Sequence, residues 1–177
     1  MAAAWRLRTD GREVVVFEKS RGLSGRAATR RREGCCYDHG ANFFRTEDPE
    51  VSELVHQILP TDDLVEIPGE VWIFDAEGRI SAGDTAMNTR PKYGYRHGIS
   101  SLGKLLAKAA GLEVRRQTRI ARLEQTSRGW ILVDEQEARL GTFAEVILTP
   151  PAPQAAELLA ASSMDPALQR SISVALA

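Results

Sequence analysis

The residues with the clearest chemistry lie early in the chain. Glu18 follows the apolar run Val14-Val15-Val16-Phe17, and Gly22, Gly25 and Arg26 come shortly after it. A carboxylate at the end of a strand offers two acceptor oxygens, which suits the hydroxyls of a ribose. Glycines let backbone N–H groups approach a pyrophosphate, and a guanidinium pairs with its oxygens. Taken singly, Glu18 is an ordinary strand-end acid. Taken with Gly22, Gly25 and Arg26 it reads as half of a dinucleotide site.

Elements must hold these groups in place. Val14 to Phe17 is rich in β-branched residues and predicts a strand buried on both faces. Met1 to Arg8 predicts a helix led by Ala2, Ala3 and Ala4, with Gly11 as its C-cap glycine. Helix, strand and acid in that order form the second half of a βαβ unit. Its first strand and Gly-x-Gly-x-x-Gly turn are expected before Met1. Glu33-Gly34 is a turn signal between two short β-like pieces. Arg30 to Arg32 is expected to be a solvated hairpin edge, where charge discourages association. Cys35 and Cys36 are expected to be structural, one facing in and one out. Gly40-Ala41 offers small residues against which a flat ligand could lie.

Composition narrows the classes. The 177 residues are 43% hydrophobic and 27% charged, with a net charge of -1. That excludes a global basic field for nucleic acid or anionic lipid. No run approaches the roughly 18 apolar residues of a membrane span. The two cysteines are adjacent, so a disulfide framework is excluded and a reduced, cytoplasmic setting is the expectation. The three histidines are scattered, and no metal-ligand spacing is present.

Further along, Asp48-Pro49 predicts a helix start, with Val51, Leu54, Val55, Ile58 and Leu59 at helical spacing and Pro60 as its end. Leu64 to Ile67 and Val71 to Phe74 predict strands, the second turning at Ala76-Glu77-Gly78 into Arg79 to Ala82. Gly83 to His97 reads as a polar loop. Ser100 or Ser101 is expected to cap a helix through Ala110 with Leu102, Leu105 and Leu106 buried. Strands follow at Leu112 to Arg115, Ile120 to Gln125, Trp130 to Asp134, Arg139-Leu140 and Glu145 to Thr149. Asp165-Pro166 starts a helix with Leu168, Ile172 and Leu176 on one side. Trp72 and Trp130 are expected to pack on a core.

Several of these stretches carry a resemblance. Phe17-Glu18-Lys19-Ser20-Arg21-Gly22, then Gly25-Arg26, Ala28-Thr29-Arg30-Arg31 and Asp38-His39-Gly40-Ala41, resemble the renalase-like flavoproteins. Thr118 to Leu123 and Pro151-Ala152-Pro153-Gln154-Ala155 are similar to two further segments of that family. The family usually has Gly-Gly-Arg-Met where this chain has Ser24-Gly25-Arg26-Ala27, and Gly-Ala-Gln where it has Gly40-Ala41-Asn42. The resemblance implies an α/β chain (α+β overall). Its core would be a partial Rossmann-like FAD-binding domain of the glutathione-reductase type, with part of an inserted antiparallel-sheet substrate domain. Residues 1–46 and 110–160 would form the FAD-binding portion, and 47–109 and 161–177 the substrate-domain portion. The cofactor implied is FAD, held by Glu18, Lys19, Gly22, Ser24, Gly25, Arg26, Thr29, Gly40, Ala41, Asn42 and Ile120. The Ile120 backbone would meet the adenine.

The activity implied is hydride transfer from a dihydronicotinamide-like donor to flavin, with oxygen as the reoxidant. No nucleic acid or membrane partner is expected, and no catalytic side chain is assigned. His39 either sits near the flavin or anchors backbone. Tyr93, Tyr95, Arg96 and His97 either line a nicotinamide pocket or form a partly buried aromatic loop. The resemblance spans essentially this whole chain and about half of the family. The alternative is a non-catalytic remnant or binding module, because the helix N-terminus that steadies the pyrophosphate belongs to the expected first turn. These 177 residues are therefore expected to bind FAD weakly or not at all.

Overall fold

A computed structural model describes the backbone of residues 1–176 and the side chains of residues 1–172. The Leu176 side chain, expected on one side of the last helix with Leu168 and Ile172, and the last residue of the 161–177 assignment lie outside them. The chain divides into two units. One comprises residues 1–16 and 22–114, the other residues 17–21 and 115–177.

The first unit opens with α1 (Ala2–Thr9). Its end is a Schellman turn: Arg12 N–H donates to the Leu7 carbonyl at 3.0 Å and Gly11 N–H to Arg8 at 3.1 Å. That turn needs the left-handed φ of +80° that Gly11 adopts. β1 (Val15–Glu18) follows and is half-buried throughout, not buried on both faces as expected. It pairs with one strand only among the described residues, β8 (Glu113–Arg116), so a full parallel-sheet environment does not form around it. β2 (Thr29–Arg32) and β3 (Cys35–Asp38) make an antiparallel hairpin. Glu33 and Gly34 both take positive φ, 52° and 78°, as a type I′ turn requires. Arg30 to Arg32 are exposed, as expected of a charged edge. Cys35 and Cys36 are both exposed, which corrects the in-and-out expectation. Both lie toward the turn end of a two-stranded arm, where neither face is covered.

α2 (Pro49–Glu53) is capped by Asp48, which accepts from Glu50 and Val51 N–H at 2.9 and 3.1 Å. The helix continues as a π-helical turn, Leu54–Ile58. The wider turn rotates the apolar positions out of phase. Val55 and Leu59 are buried, while Val51 and Ile58 are exposed. β4 (Leu64–Glu66) comes next, then the hairpin β5 (Trp72–Phe74) and β6 (Ile80–Ala82). Trp72 is 59% exposed and Phe74 80%, so Trp72 packs on no core. The stretch Gly83 to His97 is not a loop. It holds α3 (Thr85–Asn88), capped by Asp84, and β7 (Tyr93–Tyr95), antiparallel to β4. α4 (Ser101–Ala109) ends in a second Schellman turn at Gly111, φ +57°. Leu106 is buried, with Leu102 and Leu105 half-buried. Val55, Leu59, Tyr95, Ile99 and Leu106 make this unit's core.

β8 (Glu113–Arg116) leads into the second unit, where β9 (Ile120–Thr126), β10 (Gly129–Asp134) and β11 (Arg139–Phe143) form an antiparallel sheet in the order β11-β10-β9. Leu123 faces Leu132 across it, and both are buried with Val133. α5 (Ala152–Ala160) covers β9 with Ala155 and Leu159, and α6 (Pro166–Leu176) follows, capped by Asp165. The expected strand at Glu145 to Thr149 does not form. The segment finds no ladder partner among the described residues, and Ile147 is 57% exposed. Trp130, as expected, is partly covered in its sheet. No helix among the described residues is long and apolar enough to cross a membrane.

Candidate dinucleotide-binding residues

In the second unit, Glu18 closes β1 and its carboxylate turns the chain. The Glu18 Oε1 accepts Ser20 N–H at 2.7 Å. Its carbonyl accepts Thr118 N–H at 3.0 Å, and the Ser20 carbonyl accepts Gln117 N–H at 3.3 Å. These two bonds tie the exit of β1 to the residues just before Ile120, the first residue of β9. Lys19 donates from Nζ to the Gln154 Oε1 at 2.7 Å, and Gln154 lies in the first turn of α5. The fold therefore gathers Glu18, Lys19, Ile120 and the Pro-Ala-Pro-Gln segment, which are far apart in sequence. Gln154 is a member that sequence reasoning quoted as a motif but did not place in the site. Its polar side chain in an otherwise apolar helix start was the available signal.

In the first unit the loop of Gly22 to Arg26 is largely exposed. Gly25 has φ +51°, and a Cβ there or at Gly22 would meet nothing within 4 Å. The backbone at these positions is open to a ligand. The exposed Arg26 guanidinium makes no hydrogen bond or ion pair among the described residues.

Ser24 is engaged otherwise. Its hydroxyl donates to the Ser100 carbonyl at 2.7 Å, and a Cβ at Gly103 would overlap that hydroxyl. Gly40 is needed by the protein's own backbone, because a Cβ there would overlap the Arg26 carbonyl. That carbonyl accepts Ala41 N–H at 3.0 Å. The Asn42 amide, turned to suit its neighbours, donates to the carbonyls of Asp38 and Gly40 at 3.0 and 3.3 Å.

Thr29 belongs to a network centred on Asp38, a residue outside the expected site. The Thr29 hydroxyl donates to Asp38 Oδ1 at 2.6 Å and accepts Ser100 N–H at 3.0 Å. Both Asp38 oxygens lie 3.0 Å from Ile99 N–H. The entry to α4 is thus capped from β2 and β3. The expected serine cap does not form: Ser100 has helical φ and ψ of -63° and -11° and makes no capping bond. The signal for Asp38 was an acid ending a strand just before Gly40.

His39 is exposed and its N–H donates to Ala28 at 3.1 Å, a backbone-anchoring contact. The cluster Tyr93, Tyr95, Arg96 and His97 does not converge. Tyr95 is buried, its hydroxyl has no partner among the described residues, and burial raises its pKa above the ordinary value. Arg96 and His97 are exposed. An open recess of about 450 Å³ lined by Gln125, Thr126, Ser127, Ser163, Met164 and Asp165 contains none of the candidate residues. Among the described residues no three His, Cys, Asp or Glu side chains converge as a metal site would require.

Residues 1–58 match the model of an NAD(P)-binding Rossmann-like domain. That span contains the candidate residues from Glu18 through Asn42. A structure described as a protoporphyrinogen oxidase from Exiguobacterium sp. 255-15 superposes at a TM-score of 0.65 with 14% identity, covering 90% of this chain and 58% of that one. Double and triple mutants of a putrescine oxidase redesigned in cofactor binding superpose at 0.69 and 0.67. Each is 12% identical and covers 98% of this chain and 60% of its own. The chain thus spans about three-fifths of the length of these structures, and at such identities the likeness is one of fold. The chain is a mixed helix and strand protein with the fold of these oxidases, and its first 58 residues are similar to a Rossmann-like NAD(P)-binding domain.

Proposed function

We propose that this chain is the FAD-binding and part of the substrate-binding portion of a flavin-dependent oxidoreductase of the renalase-like type. The observation that carries the reading is Glu18 at the end of β1, followed by the open, left-handed Gly25, inside the span that matches a Rossmann-like domain. The donor set suits FAD. Glu18 offers its carboxylate to the ribose hydroxyls, and Lys19, fixed by Gln154, adds a cation beside it. Gly22, Gly25 and Arg26 offer N–H groups and a guanidinium to the pyrophosphate. Ile120 presents backbone to the adenine. Ser24, Thr29, Gly40, Ala41 and Asn42 complete the group by holding the loop and hairpin in shape. Residues 1–46 and 110–160 are assigned to cofactor binding, 47–109 and 161–177 to substrate.

When bound, the isoalloxazine supplies the hydride acceptor and the route to oxygen. The chain's residues bind and orient; none is required as an acid or base. The reductant proposed is a dihydronicotinamide-like molecule. The names of the fold neighbours, protoporphyrinogen oxidase and putrescine oxidase, mark the other substrate classes to assay.

These 177 residues contain no Gly-x-Gly-x-x-Gly turn, so FAD binding by this chain is expected to be saturable but weak. Titration of flavin fluorescence with the purified chain tests the reading. Glu18→Gln should weaken binding by roughly tenfold, the loss of about 1.4 kcal/mol from a charge-assisted hydrogen bond. Binding that is absent, or indifferent to Glu18→Gln, would overturn it in favour of a non-catalytic module.

A further inference from the structure

Two cations in the first unit lie side by side with no acid to balance them. Phe44 and Tyr93 exchange backbone N–H···O bonds at 2.9 Å each. Arg45 and Lys92 flank this pair and so alternate to the opposite face of the ladder from Phe44 and Tyr93. Both side chains end on consecutive carbonyls at the close of α3. The Arg45 Nη2 donates to the Met87 carbonyl at 2.8 Å, and the Lys92 Nζ to the Asn88 carbonyl at 3.3 Å. Those are neutral acceptors. Among the described residues no carboxylate is within ion-pair distance of either, and the nearby Glu47 is held by Arg90 at 2.9 Å.

The hydrogen-bonding capacity of the pair is also underused. Lys92 is only 5% exposed, yet one carbonyl is the single hydrogen-bond partner of its Nζ among the described residues. The Arg45 Nε is buried with no partner among the described residues. Its Nη1 faces only the Met87 sulfur at 4.0 Å, a weak acceptor. The guanidinium is held in place over the Phe43 ring, 5.3 Å from the centroid. A fixed guanidinium with vacant N–H groups beside a second, desolvated cation is short of negative charge. Met87, which covers it, is unbranched and 37% exposed, and can swing aside at little cost.

We propose that Arg45 and Lys92 form a binding site for an oxyanion, the carboxylate or phosphate group of a small molecule. The anion replaces the Met87 thioether against Arg45, takes the vacant guanidinium N–H groups, and is balanced by the charge of Lys92. This site needs no flavin, so its test is independent of the proposed function.

Isothermal titration of the full chain with sodium phosphate and with sodium acetate, against sodium chloride at matched ionic strength, tests it. At least one oxyanion should bind saturably where chloride does not, and the tighter of the two identifies the ligand class. Arg45→Gln should abolish the signal. Lys92→Met, which keeps the aliphatic stem, should weaken it by roughly tenfold, and Lys92→Arg should restore it. Heats indistinguishable from chloride, or binding unchanged in Arg45→Gln, would overturn the site. Should Lys92→Met fail to fold, the partly exposed Arg45→Gln decides alone.

Discussion

Asp38 does more at the scale of single residues than its place in a short exposed hairpin suggests. It is one carboxylate serving the Thr29 hydroxyl and Ile99 N–H, and through Thr29 it also orders Ser100 N–H. Removing it leaves donors at the α4 entry unsatisfied, which costs about 1–3 kcal/mol. Asp38→Ala should therefore lower the unfolding free energy measured in urea by that amount, and Asp38→Asn, which keeps an acceptor oxygen, by about half. A neutral Asp38→Ala in equilibrium unfolding would remove the capping role. The same network explains why Thr29 suits its position independently of any ligand.

Asp75 shows a residue effect of opposite sign to a buried charge. Arg79 binds it through Nε at 2.6 Å and backbone N–H at 2.9 Å, with Glu77 N–H at 3.0 Å. The Arg79 side chain is the main cause holding this carboxyl below its ordinary value of 3.8. A depressed folded pKa stabilises the turn above the unfolded value, and that contribution is lost as pH falls through the folded one. The β5–β6 turn should be unchanged down to about pH 4 and loosen only with further acid. An NMR titration of the Glu77 and Arg79 amides reads this directly, and Asp75→Asn should erase the transition.

Elements were legible where their signals were local. α1, its Gly11 turn, the Glu33-Gly34 hairpin and the Asp48-Pro49 helix start all follow from one or two residues with restricted or permissive backbones. Elements failed where a partner was needed. Glu145 to Thr149 has a strand's composition but no ladder. The apolar spacing from Val51 to Leu59 implied one continuous buried face, and the π turn at Leu54–Ile58 broke its phase. α4 took its cap from β2 and β3, which no local pattern announces.

At the scale of the whole molecule, the hairpin of β5 and β6 stands out by exposure. Trp72, Phe74 and Ile80 share one face through the register Trp72↔Ala82 and Phe74↔Ile80, and are 59%, 80% and 72% exposed. Such a patch contributes little to the fold and favours association. Replacing all three by Thr should leave unfolding free energy within about 0.5 kcal/mol while lowering binding of a hydrophobic dye and precipitation on concentration. A large loss of stability would show instead that the hairpin is structural.

The sequence by itself determined the local grammar of this protein: which stretches turn, which start helices, and that a carboxylate, two glycines and a guanidinium stand close together at Glu18, Gly22, Gly25 and Arg26. Those properties reside in single side chains and in the backbone freedom of glycine. Only the tertiary structure decided the rest. It showed that Gln154 fixes Lys19, that Ser24, Thr29 and Gly40 are engaged by the protein itself, and that Arg45 and Lys92 end on the neighbouring carbonyls of Met87 and Asn88. Each of these depends on contacts between residues distant in sequence. Such contacts are set by burial and strand pairing, which a residue's type and spacing do not specify.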